Sequence, residues 1–239
     1  MLQPEPDHVA AFAAARERVL GQIGAAAASA GRDPSAVTLV AVSKTVPAEG
    51  LVAAVAAGLT TFGENRVQEA ELKIGLVAGA TWHLVGPLQS NKAKRALGAF
   101  SVIESVDTVE LAERLDRLAG EARPDTRVPI LLQVNVDGDP SKAGFAPGRL
   151  TDALARLAAL ERLDVRGLMT VGRLVQRAED ARPTFIALRV LSERLRSDAA
   201  AAAVLGPELS MGMSDDFAVA VEEGATIVRV GRALFGSRA

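Results

Sequence analysis

Val37-Thr38-Leu39-Val40-Ala41-Val42, closed by Ser43-Lys44 and followed by a helical pattern over about 48–57, is the stretch that decides the fold. An unbroken apolar, β-branched run predicts a strand buried on both faces, as in a parallel sheet covered by helices. Working outward, strand candidates recur at 60–62, 82–85, 102–103, 128–136, 164–169, 208–210 and 226–230, with helical patterns between them. In Thr108-Val109-Glu110-Leu111-Ala112-Glu113-Arg114-Leu115, for example, the apolar residues fall at helical spacing. Eight βα units in one domain-sized chain predict a (β/α)8 TIM barrel. The second, third and seventh runs are short, which leaves a doubly wound open sheet as the alternative.

The chain has 239 residues and 49% hydrophobic positions, enough for one large core or two small ones. No linker-like composition divides it, so a single domain over 1–239 is expected. Its first 36 residues form a helical extension, with a helix at about 7–30 packed on the barrel. The alanine run 199–203 reads as the end of a helix. Lys+Arg 27 against Asp+Glu 29 gives a net charge of −2, which argues against a nucleic-acid binder. Cys 0 removes disulfides, thiolate metal ligands and cysteine nucleophiles, and no metal is expected. Acidic residues Glu5 and Asp7 precede the first apolar run, and no run is long enough to span a bilayer. A cytoplasmic protein without signal or membrane segment is expected.

In a barrel, function gathers where strands end and loops begin. Lys44 lies there, after Ser43 at the end of the first strand. A desolvated lysine amine at such a place attacks carbonyls and forms Schiff bases, most commonly with pyridoxal 5′-phosphate (PLP). The plainer alternative is a lysine that carries its amine out to solvent. Of the other lysines, Lys73 falls on a helix, Lys92 and Lys94 at a helix start, and Lys142 in a Gly/Pro/Asp-rich loop. Two glycine turns, Ser210-Met211-Gly212-Met213-Ser214-Asp215-Asp216 and Arg229-Val230-Gly231-Arg232, follow the seventh and eighth strands. Backbone amides at such turns bind phosphate, with Ser214 adding a hydroxyl and Gly231 and Arg232 adding amides. The same residues also read as ordinary helix caps. Arg229, two residues before Gly231, shares its strand face and could point into the barrel mouth.

Val40-Ala41-Val42-Ser43-Lys44-Thr45, Phe62-Gly63-Glu64-Asn65-Arg66-Val67-Gln68-Glu69 and His83-Leu84-Val85-Gly86-Pro87-Leu88-Gln89-Ser90-Asn91-Lys92 occur in succession. Gln133-Val134-Asn135, Ser141-Lys142-Ala143-Gly144-Phe145, Gly167-Leu168-Met169, Leu209-Ser210-Met211-Gly212-Met213-Ser214-Asp215-Asp216 and Val228-Arg229-Val230-Gly231 follow. Together these motifs closely resemble the pyridoxal phosphate homeostasis proteins, single-domain relatives of the alanine racemase barrel. The resemblance runs over about 37–236. It implies a fold-type III PLP-binding barrel with Lys44 as the imine lysine, Ser214, Gly231 and Arg232 at the phosphate, and Arg229 facing the pyridine nitrogen. It also implies Asn65, Asn135 and Met169 near the cofactor. Arg66 stands where many members carry an aromatic residue, and Arg232 where a small hydroxyl residue is common. The second departure leaves a backbone contact to phosphate at Arg232 rather than a side-chain one. Lys142 is either a second PLP contact or a solvated charge. His83 and 89–92 belong to the family pattern, with barrel packing and a capped helix start as their plainer readings.

A racemase needs a base on each face of the substrate carbanion. In racemases of this fold the second base is a tyrosine from an extra domain. Here Tyr is 0, and no residues after Ala239 are expected to supply that domain. Only His8 and His83 remain as candidate bases of the histidine type. An arginine at the pyridine nitrogen weakens the ring as an electron sink, and an open site admits water. The expectation is therefore a monomeric PLP carrier with no catalytic residue, buffering the cofactor or supplying PLP-dependent apo-enzymes. Weak side activity on amino acids stays open. The alternatives are a PLP-dependent racemase-like enzyme and a phosphate-binding regulatory module without imine chemistry.

Overall fold

Parallel pairing joins each strand to the next in chain order and returns from the eighth to the first, closing a barrel. The strands are β1 (Thr38–Val42), β2 (Thr61–Glu64), β3 (Thr81–Leu84), β4 (Val102–Val106), β5 (Val128–Gln133), β6 (Leu163–Met169), β7 (Glu208–Ser210) and β8 (Ile227–Val230). Closure sets Val40 opposite Arg229 and Ala41 opposite Val230, which removes the open-sheet alternative. This computed structural model describes residues 2–173 and 175–236. Met1, Leu174 and 237–239, and with them both ends of the expected domain, lie outside the described residues.

Helix α1 (Pro6–Ser29) precedes the barrel. Outside the strands lie α2 (Ala48–Ala56), α3 (Val67–Ile74), α4 (Ala93–Ala99), α5 (Val109–Ala122), α6 (Leu150–Leu157), α7 (Arg182–Arg196), α8 (Ala199–Ala202), α9 (Phe217–Glu222) and α10 (Arg232–Phe235). In α1, Ala15, Val19, Ile23, Ala26 and Ala27 are buried at three- and four-residue spacing, a stripe that packs on α2, α9 and α10. Arg32 fixes the exit of α1 by donating to the carbonyls of Val221 in α9 and of Ala225 just beyond it. The alanine run is not the end of α7. Asp198 accepts a hydrogen bond from the Ala201 amide at 2.9 Å and starts a separate turn, because its side chain satisfies an amide that a continuous helix would pair internally.

Two cores follow from the two faces of the strands. The larger lies between sheet and helices, with Phe62, Phe100 and Phe185 among its fully buried side chains. The smaller fills the barrel, where Val40, Leu131, Met169 and Ile227 pack together. Gly63 belongs to this inner face, since a Cβ there would stand 2.8 Å from the Val40 side chain. Alternation along β1 then sends Val42 and Lys44 inward with Val40, and Ala41 and Ser43 outward. Three strand ends differ from the pattern-based expectation by two residues or more. β2 runs to Glu64 and β4 to Val106, because their polar residues are paired inside the structure instead of ending the strand. β5 stops at Gln133, which leaves Asn135 in the following loop.

Candidate functional site

At the carboxyl ends of the strands a cavity of about 550 Å³ opens, within the usual range for small-molecule sites. Lys44 from the end of β1, Asn65 after β2, Ser214 after β7, and Arg229, Gly231 and Arg232 from β8 and its turn all line it. Val42, Val85, Val171 and Met213 supply apolar wall. Six of the eight residues singled out from sequence are thus brought together. Asn135 and Met169 are not among the lining residues. Met169 is fully buried in the inner core beneath the cavity. The Asn135 amide donates to the carbonyls of Asp139 and Lys142 and accepts from the Asp139 amide, so it ties its own loop together. Lys142 is likewise engaged, donating to the Gly172 carbonyl at 2.8 Å and to the Val171 carbonyl at 3.2 Å.

The β7–β8 wall offers donors to an anion. The amides of Gly231 and Ala233 both point at the Ser214 hydroxyl, at 3.2 and 3.3 Å, so three hydrogen-bonding groups converge at the start of α10. Gly212 makes the turn possible: its φ is +91°, and a Cβ would come within 2.5 Å of Ala220 on α9. Asp216 does not cap α9 with its side chain; it accepts from the Met213 amide at 2.6 Å, folding the turn back on itself. Burial pushes its carboxyl above the usual range, partly offset by that hydrogen bond and by Arg229. The Arg232 side chain pairs with Asp215 on the exposed rim.

Arg229 is buried, with its guanidinium reaching from β8 to β7 and to the residue that follows β6. It donates to the Ser210 hydroxyl at 2.6 Å and to the Thr170 carbonyl at 2.7 Å. Ser210 in turn donates to Glu104 Oε2 at 2.5 Å, and Glu104 Oε1 meets His83 Nδ1 at 2.6 Å. Burial alone would raise the Glu104 carboxyl, but His83, Arg229 and Ser210 together outweigh it and hold the group below its usual range. Burial also lowers Arg229 from its ordinary value, while Glu104 and Asp216 oppose that shift. His83 therefore sits in a buried chain of polar groups, away from the cavity lining.

The β1–β2 wall carries its charges on the other side of the sheet. Lys73 of α3, read from sequence as an ordinary helix lysine, is buried and donates to Glu64 at 2.7 Å, Glu69 at 2.8 Å and the Ser43 carbonyl at 3.0 Å. Ser43 Oγ also donates to Glu64 Oε1, at 2.7 Å. Glu64 is fully buried, and desolvation raises its carboxyl despite these partners. Glu69 is held below its usual range, because hydrogen bonds from Lys73 and the Thr45 amide outweigh its partial burial. Next to it, Asn65 is seated by Gly86, whose missing Cβ would stand 2.4 Å from the Asn65 carbonyl oxygen. Neither polar cluster was visible as a motif. Their traces in the sequence are single carboxylates, Glu64 after Phe62-Gly63 and Glu104 after Val102-Ile103, at the points where the pattern ends those strands.

Comparison with known proteins gives consistent matches. Residues 25–239 match the family described as the alanine racemase N-terminal domain. A pyridoxal phosphate homeostasis protein of Aquifex aeolicus is 40% identical over 92% of this chain and 96% of its own. Its counterpart in Pseudomonas aeruginosa is 43% identical over 92% and 93%. Among solved structures, PipY of Synechococcus elongatus PCC7942, described with PLP bound, aligns with a TM-score of 0.78 at 43% identity, over 90% of this chain and all of that one. An alanine racemase from Corynebacterium glutamicum shares the fold, with a TM-score of 0.67 at 18% identity over 96% of this chain but 61% of the racemase. This chain therefore belongs to the pyridoxal phosphate homeostasis protein family, built on the barrel of the alanine racemase N-terminal domain.

Proposed function

We propose that this protein binds pyridoxal 5′-phosphate covalently through Lys44 and serves intracellular PLP homeostasis, buffering the cofactor or delivering it to apo-enzymes, without robust catalysis of its own. One observation carries the reading: an amine, a buried guanidinium and a cluster of amide and hydroxyl groups line one 550 Å³ cavity. PLP brings an aldehyde that condenses with an amine, a pyridine nitrogen and a phosphate, and this donor set matches all three. Lys44 supplies the amine, Arg229 faces the ring nitrogen and disfavours its protonation, and Ser214, Gly231 and Arg232 take the phosphate, the last through its backbone. Asn65 borders the ring. Asn135 acts at one remove by shaping its loop, and Met169 as part of the floor. The PLP bound to PipY supports the choice of ligand.

A carrier is favoured over a racemase because the chain has no tyrosine and neither histidine lines the cavity. The family names of its relatives point the same way. No helix among the described residues is long and apolar enough to cross a membrane. We read the protein as a cytoplasmic monomer, which sedimentation of the loaded protein tests. The deciding experiment loads the protein with PLP, traps the adduct with borohydride and maps it, then follows single amino acids in D₂O by proton NMR. An adduct on Lys44 with untouched α-protons supports the carrier. Steady α-proton loss that Lys44→Ala abolishes returns the racemase reading, and an adduct as abundant in Lys44→Ala as in wild type removes Lys44 from its role.

A further inference from the structure

The chain leaves β1 by an unusual backbone step. Thr45, the residue after Lys44, has a φ of +69° and is the one non-glycine residue with positive φ among the described residues. Threonine is β-branched, so this conformation is strained, and such strain persists only where surrounding contacts hold it. Those contacts surround Lys44. On its N-terminal side, the Ser43 carbonyl accepts from Lys73 Nζ at 3.0 Å and the Ser43 hydroxyl donates to Glu64 at 2.7 Å. On its C-terminal side, the Thr45 amide donates to Glu69 Oε1 at 2.5 Å. Lys73 joins the two sides by donating to both carboxylates. Its three N–H groups have three acceptors, all on this cluster.

All three charged residues lie outside the barrel, behind the strand whose inner face carries Lys44. They do not line the cavity. We propose that Glu64, Lys73 and Glu69 are positioning residues for Lys44: a charged clamp on α3 and β2 that grips the peptide groups on either side of it, holds Thr45 in its left-handed conformation and so aims the Lys44 amine into the cavity. The proposal rests on Lys44 being the reactive amine. Without the clamp, the turn relaxes to ordinary backbone angles and the amine leaves its line of attack. A misplacement of this kind lowers the rate of bond formation while leaving the barrel folded.

Lys73→Met leaves a fully buried glutamate uncompensated and can unfold the protein, so the test uses Glu69, whose side chain is 27% exposed. Two readings are taken: the rate at which added PLP gives a borohydride-trapped adduct mapped to Lys44, and amide hydrogen exchange at Thr45 in the unloaded protein. Loss of a charge-assisted hydrogen bond predicts that Glu69→Ala slows trapping and speeds Thr45 exchange, each about tenfold. Glu69→Gln keeps an acceptor without the charge and should fall between wild type and Glu69→Ala. Thr45→Gly, which adopts positive φ without strain, should restore trapping in the Glu69→Ala background. Wild-type trapping and exchange in Glu69→Ala overturn the clamp, as does slow trapping in both Glu69 variants without recovery by Thr45→Gly. Failure of wild-type protein to form any adduct sinks the PLP reading instead. Thr45 exchange then still decides whether the clamp exists.

Discussion

The two walls of the cavity solve the same problem from opposite sides of the sheet. On the β7–β8 wall the polar groups lie inside the barrel: Arg229, Ser210, Glu104 and His83 form a buried chain, and its first member lines the cavity. On the β1–β2 wall they lie outside, where Glu64, Lys73 and Glu69 grip the backbone beside Lys44. A charge inside acts on a ligand through its field, since little water screens it. A charge outside acts through backbone geometry, and the strand insulates the cavity from it. The inner chain sets what the cavity feels like to a bound molecule; the outer clamp sets where one side chain points.

The largest expected break in this pairing is Lys44→Ala, which should abolish the trapped PLP adduct while both charge clusters stay intact, as mass mapping would show. Next comes Glu104→Leu. It leaves Ser210 and His83 without their buried carboxylate partner and the buried Arg229 charge without its nearby counter-charge, and an uncompensated buried charge of this kind costs about 3–5 kcal/mol, measurable as a lowered urea midpoint. Gly212→Ala should cost about 1–3 kcal/mol by the same measurement, because the new methyl meets Ala220 in a backbone conformation that alanine resists. Arg232→Ser exchanges an exposed ion pair for a small hydroxyl and should change stability by under about 1 kcal/mol. Its PLP affinity should stay near wild type if the contact is a backbone one.

The pH dependence of stability separates the walls further. Glu104 has a folded-state pKa below its ordinary 4.5, so it contributes stability that is complete above that pH and is lost as pH falls through the folded value. Glu64 has the opposite sign. Its folded pKa is raised, so its ionised form is penalised in the native state, and acidification through that raised value relieves the penalty. Urea midpoints measured down the acid range should therefore fall less steeply in Glu104→Gln than in wild type, and more steeply in Glu64→Gln.

The placement of Lys44 at the carboxyl end of β1 was legible in advance, because an unbroken apolar run closed by Ser43-Lys44 marks the end of a strand buried on both faces; which face turns inward was not, since both are apolar. The two glycine turns were legible as turns after β7 and β8, but their residues read equally as helix caps, so spacing alone did not tell an anion site from a cap. The clamp was not legible. A lysine on a helix reads as solvated, and nothing in the spacing of Glu64 and Lys73 reveals that α3 lays one over the other. The Glu104–Ser210 contact joins strands that are far apart in sequence, and only barrel closure brings them together. Asn135 was placed near the cofactor by resemblance alone, and β5 ends too early to carry it to the cavity wall.

Barrel closure has a further consequence, during synthesis. β1, with Lys44 at its end, leaves the ribosome well before β8 and the turn after it, which bring Arg229 and Gly231. Pairing between strands so distant in sequence is slow and costs loop entropy. A nascent chain therefore displays Lys44 long before the cavity around it exists. Capture of a ligand by both walls together has to wait for the last strand to dock against the first.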